Sequence, residues 1–229
     1  MKKLLLGLMT AFSLGAYAAM PAGDWAQFAR YKSANDSLMA LPADPARVVF
    51  LGNSITDNWA RMSPFFAEHG FIGRGISGQT TYQFLVRFRP DVVNLRPAVV
   101  VINGGTNDVA ENSHPFVQKQ TLDNIKSMTD IARANGIKVI LTSVLPAAQF
   151  PWRKTITGAP EKITALNDAI KAYAAETGVP YVDYYSAMLA EDGRSLRSDY
   201  SNDGVHPTPE GYKVMEAIIL PVVEKTLQQ

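Results

Sequence analysis

Arg47-Val48-Val49-Phe50-Leu51-Gly52-Asn53-Ser54 is the stretch that decides the fold. Val48 to Leu51 is an unbroken run of apolar β-formers, the pattern of a strand buried on both faces in a parallel sheet. The run stops at Gly52, which tolerates backbone conformations that other residues avoid. Ser54 follows two positions later, and Ile55-Thr56-Asp57-Asn58-Trp59 reads as the first turn of a helix. A serine just past the carboxyl end of such a strand stands where open α/β sheets gather their ligands. Free N–H groups at a helix start favour negative charge there. Taken alone, Gly-Asn-Ser is an ordinary turn, so its meaning depends on the rest of the chain.

Outward from this strand the same unit repeats. Further strands are expected near Phe71 to Ile76, Ala98 to Ile102, Lys138 to Val144 and Tyr181 to Tyr184. Between them the spacing predicts helices over Ser63 to His69, from Gly78-Gln79-Thr80-Thr81 to about Leu95, from Pro115 to Asn135, and near Glu161 to Glu176. Gly136 is the expected C′ residue of the third of these. A last helix starts at Pro209, a first-turn position, and Pro221 is expected to kink or end it. Before the first strand, Asp24 reads as an N-cap, with Trp25, Phe28 and Leu38 available for an apolar stripe ahead of Pro42. Buried strands alternating with helices imply an α/β fold with right-handed crossovers. Five strands predict a flavodoxin-like three-layer α/β/α sandwich with a five-stranded parallel sheet in the order 2-1-3-4-5. Its switch point falls between strands one and three. Ser54 and Asn107 follow those two strands and should face each other across one crevice.

The first eighteen residues read as an address. Lys2 and Lys3 are followed by the apolar stretch Leu4 to Leu14 and by Ala16-Tyr17-Ala18, the layout of a signal peptide with its cleavage site. That apolar run is shorter than the roughly twenty residues a membrane span requires. The expectation is export, to the periplasm or beyond, with no stable membrane anchor. The formal charge of +1 becomes −1 once Lys2 and Lys3 are removed. No Lys/Arg block points to nucleic acid. Cysteine is absent from the 229 residues, so no disulfide framework is available.

Several motifs bear on chemistry. Gly73-Arg74-Gly75-Ile76-Ser77-Gly78 matches the dinucleotide pattern G-x-G-x-x-G, but it follows the second strand, and Ala98 to Ile102 does not end in the acidic residue that would hold a ribose. The three histidines His69, His114 and His206 are scattered without metal-ligand spacing, so no metal site is expected. The strongest local signal is Asn202-Asp203-Gly204-Val205-His206-Pro207, just before the last helix. An aspartate three residues ahead of a histidine can turn back to accept from the imidazole Nδ1–H, fixing the tautomer and stabilising the imidazolium. An Asp-Gly surface turn would have the same sequence. Gly78 can offer an unobstructed backbone N–H, and Asn107 a side-chain NH₂, the donor types of an oxyanion hole. Turn-forming roles do not explain why all four pieces lie after a strand or before a helix.

On these motifs the chain resembles the SGNH (GDSL) serine hydrolases. Gly52-Asn53-Ser54 is similar to the nucleophile block and Gly78 to the glycine block. Asn107, within Gly105-Thr106-Asn107-Asp108, is similar to the asparagine block, and Asp203-Gly204-Val205-His206 to the D-x-x-H block. The resemblance runs from about Arg47 to the last helix and is greatest to the branch similar to platelet-activating-factor acetylhydrolase and the bacterial carbohydrate acetylesterases. It implies a flavodoxin-like fold, no cofactor, and ester hydrolysis through an acyl-enzyme. Asn53 departs from the family's usual aspartate, removing a negative charge beside the nucleophile. Thr56 stands where G-x-S-x-G would need its second glycine, which argues against an α/β-hydrolase elbow.

The chain then divides into a signal peptide (1–18), an N-terminal helical segment (19–46) and an SGNH-type hydrolase domain (47–229). The expected roles are Ser54 as nucleophile, His206 as base and Asp203 as its orienter, with Ser54, Gly78 and Asn107 holding the oxyanion. Ala147 to Ala159, the one long insertion expected, carries Phe150, Trp152, Arg153 and Lys154 and should form an open rim, with Trp152 against the substrate. That rim favours short acyl esters, acetyl above all, on a small molecule or a glycan. A lysophospholipase or thioesterase could use the same site, and a silent glycan-binding domain could keep the same fold. Oligomeric state is not legible.

Overall fold

Alternation of side chains along buried strands sets the layers of the molecule. The structure, a computed structural model, describes residues 23–229, and the expected signal segment lies outside them. Strands β1 (Val48–Gly52), β2 (Ile72–Gly75), β3 (Val99–Asn103), β4 (Lys138–Thr142) and β5 (Tyr181–Val182) form one parallel sheet in the order β2-β1-β3-β4-β5. This is the topology the sequence predicts. The larger helices are α1 (Lys32–Met39), α2 (Ser54–Met62), α4 (Thr81–Asp91), α6 (Gln118–Ala134), α7 (Ala159–Thr177) and α9 (Pro209–Leu227). The shorter α3 (Phe65–His69), α5 (Thr106–Val109) and α8 (Tyr184–Met188) complete the set.

Val49, Leu51, Val100, Ile102, Val139 and Leu141 turn to one face, into a core shared with α4, α6 and α7. Val48, Phe50, Val99, Val101, Ile140 and Val182 turn to the other, against α2, α3 and α9. Trp59 centres this second core, stacked between Phe65 at 5.7 Å and Tyr212 at 5.6 Å. The central pair fixes the height of the site, because Leu51 lies opposite Ile102 and Gly52 opposite Asn103. The loops to Ser54 and Asn107 therefore leave the sheet side by side.

Two of the three glycines of the dinucleotide-like motif, Gly73 and Gly75, serve packing. A methyl group on Gly75 would sit 2.2 Å from the backbone nitrogen of Asp57, and one on Gly73 would sit 2.6 Å from Ala60 Cβ. Both residues let α2 lie directly on β2.

Four expectations need correction. Pro221 does not end α9, which runs through it to Leu227. Pro221 and Ala217 both lie on its exposed face, so the carbonyl that loses its N–H partner is left to water while Ile219 and Val223 stay buried. Asp24 does act as a cap, accepting from the N–H groups of Phe28 at 2.8 Å and Ala29 at 3.1 Å. The element it caps, however, is a 3-10 turn at Phe28–Arg30, with Trp25 and Phe28 each 45% exposed. Leu38 of the expected stripe does pack against the first core, and polar contacts hold the arm beside it: buried Asn35 donates to Asp91 at 2.7 Å and accepts from Arg74 Nε at 2.9 Å. In the rim loop, Phe150 is fully buried in the first core, which leaves Trp152 as its exposed ring. The rim loop is also not the one long insertion, since 189–208 is longer and contains only isolated bridges at Leu189–Leu196 and Ser201–Pro207.

Candidate active site

Ser54 stands at the head of α2, one residue past a side-chain cap. Asn53 Oδ1 accepts from the N–H of Ile55 at 2.9 Å, which fixes the first turn where the chain leaves β1. The N–H of Ser54 is among the first-turn donors that a helix leaves without an internal acceptor.

The 189–208 segment brings the imidazole. Asp203 organises the turn with one oxygen, Oδ1, accepting from the N–H groups of Val205 at 2.9 Å and His206 at 2.8 Å. Its other oxygen lies 2.7 Å from His206 Nδ1. Ser201 Oγ donates to the His206 carbonyl at 2.8 Å, closing the loop beneath the ring. With the Nδ1–H on the carboxylate, the Nε2 lone pair faces Ser54 Oγ at 2.9 Å; the tautomer is assigned from these partners. Burial acts to raise the Asp203 carboxyl, but hydrogen bonds from His206 and Val205 outweigh it and hold the group below the usual carboxylate range.

The oxyanion candidates approach from the far side. Asn107, buried in α5, donates one Nδ2 hydrogen to the Gln79 carbonyl at 2.9 Å, which orients its amide and leaves the second hydrogen for the crevice. Its neighbour Asp108 has no exposed surface and accepts from Thr81 Oγ1 at 2.6 Å and Thr81 N–H at 3.0 Å. Those bonds fasten α5 to the start of α4. Burial raises the Asp108 carboxyl against the lowering effect of Thr81. Gly78 has φ +81°, which an L side chain rarely adopts, and its carbonyl accepts from Asn112 Nδ2 at 3.2 Å.

Ser54, Gly78, Asn107, Trp152 and His206 meet in one open cavity of about 370 Å³, with Asp203 behind the imidazole. All six predicted residues are thus brought together. Three further lining residues, Asn58, Ser77 and Asn112, escape the sequence reading. Asn112 matters most of these, because its Oδ1 accepts from Trp152 Nε1 at 2.9 Å while its amide holds Gly78. The indole is thereby set 5.8 Å from the His206 ring, centroid to centroid. Nothing in the local sequence marks Asn112, since its partners are 34 and 40 positions away. Among the described residues no group of three or more His, Cys, Asp or Glu side chains could hold a metal ion, and no helix is long and apolar enough to cross a membrane.

A doubly wound parallel sheet with a hydroxyl–imidazole–carboxylate relay beside oriented N–H donors is an arrangement suited to acyl transfer. The chain belongs to the GDSL-like lipase/acylhydrolase family, whose model matches residues 50–214. It is a carboxylic ester hydrolase of that type. The solved structure of a GDSL-like lipase from Bacteroides thetaiotaomicron is similar at 54% identity and TM-score 0.84, covering 87% of this chain and 98% of that one. An isoamyl acetate-hydrolyzing esterase 1 homolog from Bos taurus is 26% identical over 206 residues, 78% of this chain and 82% of the relative. An acetylxylan esterase from Xylanibacter ruminicola is 25% identical over 230 residues, 82% of this chain but 45% of the relative.

Proposed function

We propose that the protein is an exported serine esterase that removes acetyl and other short acyl groups, from carbohydrate above all, through an acyl-enzyme. The observation that carries this reading is Ser54 Oγ at 2.9 Å from His206 Nε2 within an open cavity that also holds Gly78 and Asn107. As Ser54 Oγ attacks the ester carbonyl, its proton passes to Nε2, and the oxyanion is met by the N–H groups of Ser54 and Gly78 and the free hydrogen of Asn107 Nδ2. The bond to the leaving alcohol then breaks, and His206 gives that oxygen the proton. Water attacks the acyl-serine next, losing its proton to His206. Collapse releases the acid and returns the proton to Ser54. Asp203 keeps Nδ1 protonated throughout and stabilises each imidazolium.

The short-acyl preference rests on the rim. Trp152 is 42% exposed and pinned through its ring nitrogen, which presents a flat ring face to a sugar at the mouth of an open cavity. The relatives named for isoamyl acetate and acetylxylan are consistent with it. Export rests on the signal-like first eighteen residues, and one relative, 27% identical over 176 residues, is named a lipoprotein. The test is kcat/KM along a p-nitrophenyl series from acetate to palmitate, with Ser54→Ala alongside. Efficiency should fall beyond about four carbons, and Ser54→Ala should lose on the order of 10⁶-fold in kcat. Efficiency still rising past about eight carbons, at about 0.8 kcal/mol per buried CH₂, would favour a lysophospholipase. Fluorophosphonate labelling at any residue other than Ser54 would overturn the nucleophile.

A further inference from the structure

We infer that Arg87, which touches no substrate, is the positioning residue that holds the nucleophile loop and the oxyanion loop in register. The inference rests on the proposed oxyanion site of Gly78 and Asn107. Arg87 lies on α4 with no exposed surface. Its three guanidinium nitrogens go to three different places. Nη2 donates to the Gly52 carbonyl at 3.0 Å, two residues before Ser54. Nε donates to Gln79 Oε1 at 2.6 Å, one residue after Gly78. Nη1 donates to Asp91 Oδ2 at 2.9 Å within α4.

Gln79 passes the constraint on. Its backbone carbonyl accepts from Asn107 Nδ2 at 2.9 Å, and its own amide donates to the Ala26 carbonyl of the N-terminal arm at 2.9 Å. One planar cation is therefore two bonds from Asn107 and two residues from Ser54, and its fork geometry fixes the angle between them. Fold stability alone does not account for it. A buried ion pair such as Arg87–Asp91 is on general grounds no better for stability than apolar side chains of similar volume. What apolar side chains could not supply is directed donors to two loops whose relative position must hold within a fraction of an ångström.

Arg87→Lys keeps a cation for Asp91 but cannot reach three acceptors in a plane. At a temperature well below melting, it should lower kcat about 10²-fold, the cost of a displacement of roughly 1 Å, with KM within about twofold. The inhibition constant of an alkylboronic acid, whose tetrahedral adduct on Ser54 places an oxygen in the oxyanion site, should rise in step with the loss of kcat/KM. Gln79→Met, which leaves the Arg87–Asp91 pair intact, should move both quantities in the same direction and covers the case in which Arg87→Lys folds poorly. Val223→Ala, a core truncation near the far end of α9, serves as the comparison for simple destabilisation. In an Asn107→Ala background Arg87→Lys should cost far less than in the wild type, because the two act through one route. Unchanged kcat in both Arg87→Lys and Gln79→Met, or losses no larger than those in Val223→Ala, would overturn the assignment. If Asn107→Ala itself left kcat intact, the oxyanion reading would fall first and Arg87 with it.

Discussion

Asn107 has two amide hydrogens, and one of them is committed to Gln79. On the proposed oxyanion role its remaining hydrogen would contribute only when charge appears on the carbonyl oxygen, so Asn107→Ala should lower kcat about 10²- to 10³-fold with KM little changed. A rise in KM alone would make it a substrate-binding residue. Asp203 gives a pH prediction. Its carboxyl is held below the ordinary range, so its stabilising effect is present above the ordinary carboxylate pKa of about 3.9 and is lost only as pH falls through its own lower value. Between pH 5 and 7 Asp203 therefore stays ionised and adds no limb of its own, so log(kcat/KM) should fall toward acid with a slope no steeper than one. A slope of two would show that a second group titrates there. Asn53→Asp keeps the acceptor that caps Ile55 but adds an anion near the imidazolium, and this should move the same limb to higher pH. A limb that stays in place would leave position 53 with only its capping role.

Elements differ in how much of themselves they write into sequence. The first four strands, the head of α2 and the Asp203–His206 turn are legible because their causes lie within a few residues. An apolar run, a cap or an i, i+3 pair is local information. The position of Trp152 at the rim is legible too, but its clamp through Asn112 is not, because that contact spans 40 positions. If the indole face stacks on a sugar, a contribution of about 0.5–1.5 kcal/mol means Trp152→Ala should raise KM for a glycosyl acetate about 2- to 10-fold with kcat nearly unchanged. Phe150 misleads because an aromatic in a loop carries no mark of whether the loop folds inward. α9 shows the same limit for Pro221, whose tolerance depends on which face meets water. Pro221→Ala should therefore stabilise the protein by about 1–3 kcal/mol, read as a rise in Tm. An unchanged Tm would mean that the helix has already absorbed the proline.

At the scale of the whole molecule, the candidate site gathers beyond the C-terminal ends of β1, β2 and β3, with its imidazole brought from 189–208, and the arm before β1 is tied into the same region. The arm reaches β2, the sheet's first edge: the Tyr31 hydroxyl donates to the Gly75 carbonyl, and Asn35 receives Arg74 from the strand itself. At the other edge β5 pairs over only two residues, Tyr181 and Val182. A bare strand edge is a template on which another chain can add. The two margins of this sheet thus differ: side chains of the arm bond to one, and the other is only two residues long. Deleting 23–40 should bare Ile72–Gly75 and make the truncated chain self-associate while its helical circular dichroism persists, which light scattering across a concentration series would detect. A monodisperse truncated chain would count against this. Were the truncated chain to associate, the arm that precedes the family match at 50–214 would set how concentrated this hydrolase can become before molecules begin to pair along their sheets.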